Sequence, residues 1–521
     1  MDTSRTGTTG TAPTGTAPAG TSPHDAGGGR DAETEVPVLV VGGGPAGLVA
    51  AITLARHGVG CLVVERRRAP SALPRATLAS LRTMELVRRW GLEDAVRAGA
   101  DDVGWRLWTC ETLAEAGSGA GAPVGVPDPG QCAVLSPTTP ACVPQDHLES
   151  VLEDHLRGLP SAGVVSGAEV VAFRDGPGGA VATLRDTQRG TVRRVRARYV
   201  VAADGAHSTV RAACDIPMRG SDHLLEAVTA VFRAPLWDVA GPHRYGIYWI
   251  THPEATGNLL PAGHGDRWVY GLRVDPGSEG GADSAPERFA HLIRLACGVP
   301  NLEPRIDRIS SFSFAAMIAD TFRAGRTFLV GDAAHRITPR GGTGMNTAIA
   351  DGFDLGWKLA WVLSGWAHPG LLDSYETDRR PIVEHNLARS ADPSGSIREP
   401  IEELHADLGG RIAHAWSDAA RRVSTLDLVG PGLTLFTATA STAWRDAAAS
   451  VGGPVPIRAT RLEPFAARAI GVRGRGAVLV RADGAPVGCW ISEADAHGVL
   501  RTAVEAATGG GARGLAEARI A

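Results

Sequence analysis

Residues 325–358 read GRTFLVGDAAHRITPRGGTGMNTAIADGFDLGWK, and this stretch decides the fold. The apolar run at residues 327–330 predicts a short buried strand that ends at Gly331 and Asp332. Open α/β sheets bind their ligands at the carboxyl ends of their strands. Asp332 is therefore positioned to accept hydrogen bonds from ribose or ribityl hydroxyls.

A loop rich in glycine and proline follows at residues 338–344 and leads into a helical pattern that begins near Met345. A helix amino terminus presents N–H groups without partners and the positive end of the helix dipole. The glycines let a flat ligand approach the backbone closely. The segment suits a flat ring that carries negative charge; the alternative is a glycine-rich surface loop after an arbitrary strand.

This stretch resembles the second FAD fingerprint of the class A flavoprotein monooxygenases, the aromatic hydroxylases, and within them the polyketide hydroxylase branch typified by the tetracenomycin and aklavinone oxygenases. The family pattern runs roughly G-D-A-A-H-x-x-P-P-x-G-G-x-G-x-N and continues as D-A-x-N-L-x-W-K-L. The chain departs from it at Thr338, Gly352 and Asp354, and none of these changes removes a backbone donor. The shared positions are Gly331, Asp332, His335, Pro339, Gly341, Gly342, Gly344, Asn346, Asp351, Leu355, Trp357 and Lys358.

Length and composition set the broad class. The chain has 521 residues, which predicts two or three domains. Lysine and arginine total 52 against 56 aspartates and glutamates, so no large basic field is present to bind nucleic acid. The seven cysteines are scattered, without C-x-x-C spacing. This pattern indicates a reduced cytoplasmic protein with no disulfide framework and no structural metal site.

The amino-terminal residues 1–34 consist mostly of Thr, Gly, Ala, Pro and Ser. Such a composition buries too little apolar surface to offset the entropy of ordering, so we expect a disordered tail. The tail has no continuous apolar core of the kind a signal peptide requires, and no later segment gives about 18 uninterrupted apolar residues. We therefore expect neither secretion nor a membrane span.

A second nucleotide-binding pattern begins with the apolar run at residues 36–41. It leads into Gly42, Gly44 and Gly47, the spacing G-x-G-x-x-G, and then into a helical pattern. Glu65 ends the next strand, where an acid accepts from a ribose hydroxyl. The order strand, turn, helix, strand and acid predicts a dinucleotide site; the alternative is a tight turn without ligand. The second fingerprint favours FAD as the dinucleotide.

The resemblance extends past Glu65. Arg75 lies in a P-R-A segment in which the family's arginine lies along the flavin, and the alternative is a solvated arginine in a loop. Arg66 is a further cofactor candidate, although a solvated surface position is the simpler interpretation of the arginine run at residues 66–68. Gln145 matches the family's glutamine near the pyrophosphate; the alternative is an ordinary helix start.

A strand that ends near residue 201 is followed by Asp204 in the segment D-G-A-H-S-T-V-R. This segment resembles the signature that the family uses for both FAD and the nicotinamide donor. Local chemistry alone supports a turn followed by a helix cap at Ser208 nearly as well. The position of Asp204 between the two flavin fingerprints favours a cofactor contact.

The pattern changes to alternating strands between residues 227 and 319, with one clear helix near residues 286–296. This predicts an antiparallel sheet inserted into the FAD domain, and its location makes it the substrate domain. Five aromatic residues either line a substrate pocket or, in the simpler interpretation, form sheet core: Tyr245, Tyr248, Trp249, Phe312 and Phe314.

The carboxy-terminal residues resemble the thioredoxin-like domain of the polyketide hydroxylase branch. They contain no C-x-x-C, so we expect an interface or stabilising role and no dithiol chemistry. The predicted fold is α/β, with a Rossmann-like FAD domain of the glutathione-reductase type, an inserted antiparallel sheet and this last domain. The predicted division is a tail at 1–34, FAD domain at 35–214 and 321–395, substrate domain at 215–320, a helical linker at 396–425 and the thioredoxin-like domain at 426–521.

The resemblance implies an FAD-dependent monooxygenase that consumes NADPH or NADH. It would insert one atom of O2 into an aromatic polyketide or related polycyclic phenol through a flavin C4a-hydroperoxide, as a monomer or homodimer. Pro339 and Arg340 are the catalytic candidates, whereas His335 belongs to the flavin cradle. The cofactor-binding candidates are Gly42, Gly44, Pro45, Ala46, Gly47, Glu65, Arg66, Arg75, Gln145, Asp204, Gly331, Asp332, Pro339, Gly342, Gly344, Met345 and Asn346.

Alternative functions are a flavin-dependent dehydrogenase or oxidase of the same substrates and a flavin-binding scaffold without turnover. A flavin halogenase is disfavoured because the chain lacks the W-x-W-x-I-P segment that such enzymes carry.

Overall fold

The structure, a computed structural model, describes residues 33–176, 178–274, 285–437 and 442–509. The predicted tail lies outside these residues except for its last two, and Thr34 already begins the first strand. The helices within the described residues are, in chain order, α1 Pro45–Arg56, α2 Leu81–Arg89, α3 Glu93–Arg97, α4 Pro129–Leu135, α5 Gln145–Arg157, α6 Thr209–Ala213, α7 Leu236–Ala240, α8 Pro286–Cys297, α9 Gly344–Leu363, α10 Ser374–Ala391, α11 Pro400–Leu408, α12 Thr442–Ser450, α13 Pro464–Ala469 and α14 Ala496–Ala507.

The strands of the same residues fall into three larger sheets and one short pair. They are β1 Thr34–Val41, β2 Cys61–Glu65, β3 Leu78–Ala79, β4 Gly104–Cys110, β5 Ala120–Pro123, β6 Ala141–Cys142, β7 Ala162–Ser166, β8 Ala168–Arg174, β9 Ala180–Asp186, β10 Val192–Ala202, β11 Met218–Arg233, β12 Tyr245–Ile250, β13 Gly257–Pro261, β14 Arg267–Val274, β15 Arg305–Ala319, β16 Arg323–Ala324, β17 Thr327–Leu329, β18 His335–Arg336, β19 Leu433–Thr437, β20 Ile457–Arg461, β21 Ala477–Val480 and β22 Pro486–Trp490.

The first sheet has the order β16-β17-β10-β1-β2-β7, with β9 and β8 attached beside β10. Strands β17, β10, β1, β2 and β7 run parallel. Parallel strands are covered on both faces, which is why residues 38–41 of β1 are uniformly apolar and buried. The arrangement brings the carboxyl ends of β1, β10 and β17 to one edge of the sheet.

The second sheet has the order β18-β15-β11-β14-β13-β12-β4-β5 and is antiparallel except where β12 meets β4. Helices α7 and α8 cover one of its faces, and the covered side chains include Phe232, Tyr248, Trp268 and Tyr270. The sheet differs from the predicted division at 215–320, because β4 and β5 belong to it although they lie in the first part of the FAD domain. Strand β18 also joins it, from within the second flavin fingerprint.

The third sheet, in the order β20-β19-β21-β22, forms the carboxy-terminal domain with helices α12, α13 and α14. The domain packs on the FAD domain through backbone carbonyls. Arg89 of α2 donates to the carbonyl O of Ala482 at 2.7 Å, and Trp361 of α9 donates to that of Pro431 at 2.9 Å. The predicted helical linker is helical only in α11, because Gly409 and Gly410 both adopt positive φ and end that helix.

Candidate active site

Three strand ends of the first sheet meet where the two fingerprints begin. The N–H of Ala203 donates to the carbonyl O of Val41 at 2.8 Å, and the N–H of Val330 donates to that of Ala202 at 3.0 Å. The turns after β1, β10 and β17 therefore lie side by side. This edge is the ligand-binding edge of an open α/β sheet.

The three glycines of the first fingerprint are needed for different reasons. A Cβ on Gly42, whose φ is +109°, would lie 2.2 Å from the carbonyl O of Ala203, and one on Gly47 would lie 2.0 Å from that of Gly42. Chain packing therefore requires both. A Cβ on Gly44 would meet no protein atom within 4 Å. The room beside Gly44 is what a ligand needs to approach the backbone.

Helix α1 begins beside this open space. Its cap residue, Gly44, has no side chain to accept from the first N–H groups, and its first turn holds no acidic residue. Pro45 is the first residue of the helix, so the next free donors are the N–H groups of Ala46 and Gly47. The positive end of α1 is available to an anion such as a diphosphate.

Glu65, at the end of β2, is tied to this turn. One carboxylate oxygen accepts from the N–H of Gly43 at 2.8 Å, and the other accepts from the backbone N–H and the Nε of Arg67 at 2.8 and 3.0 Å. Burial alone would raise the pKa of Glu65, but these hydrogen bonds outweigh it and lower the pKa. The arginine that contacts Glu65 is Arg67, which the sequence did not single out, whereas the candidate Arg66 is exposed.

The loop of Arg75 is fixed to helix α5 because the N–H of Gln145 donates to the carbonyl O of Ala76 at 2.8 Å. The side chain of Gln145 donates to Glu149 at 2.6 Å. Burial raises the pKa of Glu149, while Gln145, Arg67 and Arg75 act against that rise. The structure thus brings Arg75 and Gln145 together, and Arg75 is exposed.

Asp204 has a local structural role. Its carboxylate accepts from Ser208 Oγ at 2.5 Å and from the N–H of Val210 at 3.0 Å, while Ser208 caps α6 by accepting from Arg211 at 2.9 Å. These contacts match the alternative interpretation of the sequence, a turn followed by a helix cap. Both carboxylate oxygens of Asp204, the predicted cofactor ligand, accept hydrogen bonds at the start of α6. Asp204 still lies at the shared edge, since Ala203 faces Gly42.

Gly331 and Asp332 follow β17 in the same edge. Gly331 has φ +58°, and a Cβ there would lie 3.1 Å from Cβ of Ala348 and 3.2 Å from that of Ala46, so α1 and α9 cross closely beside it. Asp332 is exposed, although the protein atoms around it desolvate its carboxylate enough to raise its pKa. Both observations fit a carboxylate that protein surrounds on one side and that a ligand can reach from the other.

Helix α9 begins after the glycine loop and is also uncapped: Thr343 makes no side-chain cap, and the first turn holds no acidic residue. The side chain of Asn346 is fully used by the protein. It accepts from the N–H of Ser80 at 2.9 Å and Thr83 Oγ1 at 2.8 Å, and donates to Leu78 and Gly342 carbonyls at 2.9 and 3.2 Å. The backbone N–H groups of Gly344, Met345 and Asn346 are what this terminus offers a ligand.

The chemical groups that the site presents match the parts of FAD. The open room and free donors at α1 suit a diphosphate, Asp332 suits a hydroxylated chain, and the second uncapped terminus at α9 suits a flat ring that carries negative charge. Bound FAD would supply the redox chemistry, and the protein residues would hold and orient it.

The two catalytic candidates lie in the loop before α9. Pro339 is exposed, and the guanidinium of Arg340 lies 5.6 Å from the ring centroid of Phe314. Nη1 of Arg340 is 3.4 Å from the carbonyl O of Ser390 at the end of α10. Phe314 belongs to β15, so this contact joins the flavin loop to the second sheet.

The face of the second sheet that α7 and α8 leave open carries a row of small and polar side chains. Pairing across the strands aligns Ser310, Thr229, Gly271 and Asn258, and Trp249 ends the row. Trp249 and Phe312 are 38% and 39% exposed. Of the predicted aromatic set, Tyr248 instead lies fully buried on the covered face and Tyr245 packs against that core.

A basic cleft of about 640 Å³ lies between the Arg75 loop and the second sheet. Its lining contains one aspartate, Asp307, and five arginines. Arg267 forms an ion pair with Asp146 at 2.7 Å, and Arg233 forms one with Asp307 at 3.0 Å. The arginines are Arg67, Arg75, Arg233, Arg267 and Arg308.

Metal clusters and membrane spans are two further features that bear on function. The residues that the structure describes contain no group of three or more His, Cys, Asp or Glu side chains arranged to hold a metal ion. No helix among them combines the length and apolar character needed to cross a bilayer.

Comparison with protein families identifies the class. The family described as "FAD binding domain" matches residues 35–390. The chain belongs to this family, and it is an FAD-dependent monooxygenase of the aromatic hydroxylase type. Within this family, the chain belongs to the polyketide hydroxylases, as its similarity to the relatives below shows.

Those relatives cover most of the chain. It is 37% identical to an aklavinone 12-hydroxylase of Streptomyces peucetius subsp. caesius, over 80% of this chain and 94% of that protein. It is 33% identical to a tetracenomycin A2 monooxygenase-dioxygenase of Streptomyces glaucescens, over 90% and 96%. A putative polyketide hydroxylase of Streptomyces halstedii is also 33% identical, over 87% and 93%.

Solved structures agree. A ternary complex of aklavinone-11 hydroxylase with FAD and aklavinone matches with a TM-score of 0.80 and 31% identity, over 92% of this chain and 99% of that one. The flavin-dependent monooxygenase PieE, in complex with FAD and substrate, matches with a TM-score of 0.81 and 26% identity, over 91% and 99%. The predicted fold class and the prediction of FAD are confirmed.

Proposed function

We propose that this enzyme inserts one atom of molecular oxygen into an aromatic polyketide or a related polycyclic phenol, with hydroxylation as the outcome and NADPH or NADH as the electron donor. The observation that carries the proposal is the open face of the second sheet, which meets the flavin loop through Phe314 and Arg340. The relatives act on tetracenomycin- and aklavinone-type compounds by name, which supports the substrate class.

The open face suits a flat, oxygenated substrate. Its row from Ser310 to Trp249 crosses five strands, which spans about 19 Å at ~4.8 Å per strand. Gly271 leaves room for a ring system, Thr229 and Asn258 offer hydrogen bonds to hydroxyl and carbonyl oxygens, and the exposed aromatics lie at its borders. Phe314 lies four residues along β15 from Ser310, which is about 13 Å at ~3.3 Å per residue, so a polycycle that extends from the row toward Phe314 would approach Arg340.

We propose that the cofactor-binding residues act in three groups. The free N–H groups of α1 hold the diphosphate, with Glu65 on the adenosine ribose and Arg75 and Gln145 beside it. Asp332 accepts from the ribityl chain, and the amino terminus of α9 faces the ring. Arg340 binds the phenol oxygen, and Pro339 borders the space for oxygen beside the ring.

The basic cleft is the proposed entrance for the electron donor. Three of its five arginines are paired with the carboxylates of Glu65, Asp307 and Asp146. The other two, Arg75 and Arg308, leave an excess of positive charge that favours a ligand with phosphates. Arg75 lies on the FAD-domain side of the cleft and Arg308 on the side of the second sheet. An electron donor bound in the cleft would therefore contact both arginines. Free cysteines throughout, most of them buried, support a cytoplasmic location.

Labelled molecular oxygen tests the proposal. Purified holoenzyme is supplied with NADPH and a dihydroxyanthraquinone, and the product is examined by mass spectrometry. We expect one labelled atom in the product, faster NADPH consumption with the phenol than without it, and hydrogen peroxide as the product in its absence. A new oxygen that came from water would favour a dehydrogenase, and flavin that NADPH fails to reduce even with the phenol would favour a scaffold.

A further inference from the structure

Helix α10 holds the strand and turn that precede the flavin loop. Tyr375 donates from its hydroxyl to the carbonyl O of Leu329, the last residue of β17, at 2.7 Å. One turn further along, Arg379 donates from Nε to Asp351 of α9 at 2.8 Å. Tyr375 and Arg379 are both buried, so these bonds are shielded from water.

Asp351 carries the connection from Arg379 to the turn that contains Asp332. Its second carboxylate oxygen accepts from the N–H of Gly331 at 3.1 Å and lies 2.6 Å from Nε2 of His335. Burial alone would raise the pKa of Asp351, but His335 and Arg379 outweigh it and lower the pKa. The carboxylate therefore fixes both ends of the segment from Gly331 to His335.

Asp378, the residue before Arg379, faces the carboxy-terminal domain. Its carboxylate accepts from Lys358 Nζ at 2.8 Å and from Nη2 of Arg481 at 3.4 Å. Arg481 directly follows β21, pairs with Asp483 at 2.7 Å and lies 5.3 Å from the ring centroid of Trp357 in α9. Adjacent residues of α10 thus join the carboxy-terminal domain on one side and the flavin turn on the other.

Burial makes this junction sensitive to each partner. The side chain of Lys358 has no exposed surface, and those of Arg481 and Asp378 are 11% and 32% exposed. Removal of one member of a buried ion pair leaves the other charge unpaired, which costs far more than the loss of a surface pair. Asp378 is therefore held jointly by Lys358 at 2.8 Å and by Arg481 at 3.4 Å.

We propose that the carboxy-terminal domain positions the flavin-binding turn. Arg481 fixes Asp378, the next residue Arg379 fixes Asp351, and Asp351 fixes the turn that presents Asp332. Arg481, Asp378 and Arg379 are positioning residues. The proposal assigns a role to a domain without C-x-x-C, and it rests on the proposed contact between Asp332 and the ribityl chain.

The test is the rate at which FAD leaves the full-length holoenzyme, followed by flavin fluorescence after dilution. Arg481→Met keeps much of the length and the apolar stem but removes the charge. We expect a release about 5- to 150-fold faster, the usual range for coupling between sites. Arg475→Met is the matched control, because Arg475 pairs with Glu493 in the same domain while its side chain is 69% exposed. It should change the rate less than about twofold.

Two further variants separate coupling from loss of stability. Leu500→Ala removes a fully buried side chain of α14 and should lower the melting temperature without faster release. The double variant with Arg379→Met and Arg481→Met should release FAD no faster than Arg379→Met alone, because both changes interrupt the same series of contacts from Arg481 to Asp351.

The proposal is overturned if Arg481→Met releases FAD within about twofold of the wild-type rate, or no faster than Leu500→Ala. If Arg481→Met does not fold, Arg481→Lys retains the charge with fewer donors and should still release FAD measurably faster. Unchanged release from Arg481→Lys would then overturn it. Unchanged FAD affinity in Asp332→Ala would instead refute the proposed ribityl contact, whatever Arg481→Met does.

Discussion

Gly44→Val should separate FAD binding from folding. The protein offers no atom within 4 Å of a Cβ at this position, and Gly44 has φ −82° and ψ −177°, an extended backbone that valine adopts readily. Loss of a good cap residue costs roughly 0.5–1 kcal/mol, and the stiffer unfolded chain offsets about 0.4–1 kcal/mol. The free energy of unfolding without FAD should therefore change little.

The cost to FAD binding should be large. The valine side chain would fill the open space beside Gly44 through which a diphosphate reaches the free N–H groups of Ala46 and Gly47. Hydrogen bonds to a charged group contribute about 1.5–3 kcal/mol each, so two lost bonds cost about 3–6 kcal/mol. At about 1.4 kcal/mol per factor of ten, FAD should bind at least ~100-fold more weakly.

Fluorescence titration of flavin-free protein with FAD measures this affinity, and thermal unfolding of the same samples measures the fold. Gly47→Ala is the contrasting variant, because its Cβ would lie 2.0 Å from the carbonyl O of Gly42 and should destabilise the protein itself. Gly44→Val that binds FAD as tightly as wild type would refute the reasoning, as would a Gly44→Val that unfolds as readily as Gly47→Ala.

Four further changes test other parts of the site. Asp332→Ala should weaken FAD binding by about 1–3 kcal/mol, measured by the same titration, because it removes the proposed acceptor of a ribityl hydroxyl. Arg308→Gln should raise the KM for NADPH several-fold, and added salt should shrink the difference from wild type. Trp249→Ala should lower kcat/KM for polycyclic phenols while flavin reduction by NADPH continues. Burial chiefly, with two neighbouring aspartates, raises the pKa of Asp354 to about 6. The stability this group contributes is present below its unfolded pKa and lost as pH rises through about 6, so Asp354→Asn should show a flatter pH profile of stability in denaturant titrations. The change also removes a carboxylate that pairs with the buried ammonium of Lys358 at 2.7 Å, so it should bring no gain in stability near neutral pH.

Both fingerprints can be predicted from sequence because each is continuous in the chain: glycine, acid and helix start follow one another within a few residues. Asp332 and Gly44 are therefore recognisable from the amino-acid sequence alone. Asp204 shows the limit of this approach. The same residues, D-G-A-H-S, support a helix cap nearly as well as a cofactor contact, and only the contacts of Asp204 with Ser208 and Val210 and of Ser208 with Arg211 reveal the cap.

Contacts between distant segments are not predictable in this way. Strands β4 and β5 join the second sheet through a parallel pairing with β12, more than a hundred residues away, and their short amphipathic patterns do not reveal a partner. The junction of Arg481 with Asp378 is invisible in the sequence for the same reason. The segment Y-E-T-D-R-R-P at residues 375–381 fits an architectural role, but which domains it joins depends on tertiary packing.

The chemistry of the open face bears on how a phenol would be activated. Near Arg340, strand β15 presents Phe314 and Phe312, and its pairing with β11 places Leu225 and Ala227 opposite them, so these four neighbouring side chains carry no titratable group. A nearby cation lowers the pKa of a phenol, and a neighbouring carbonyl on the substrate acidifies it further. Arg340, held between Phe314 and the end of α10, could therefore favour the phenolate without a protein base. We expect the acidic limb of the pH–rate profile to follow the pKa of the bound phenol, and so to move when the substrate is exchanged for a more acidic one.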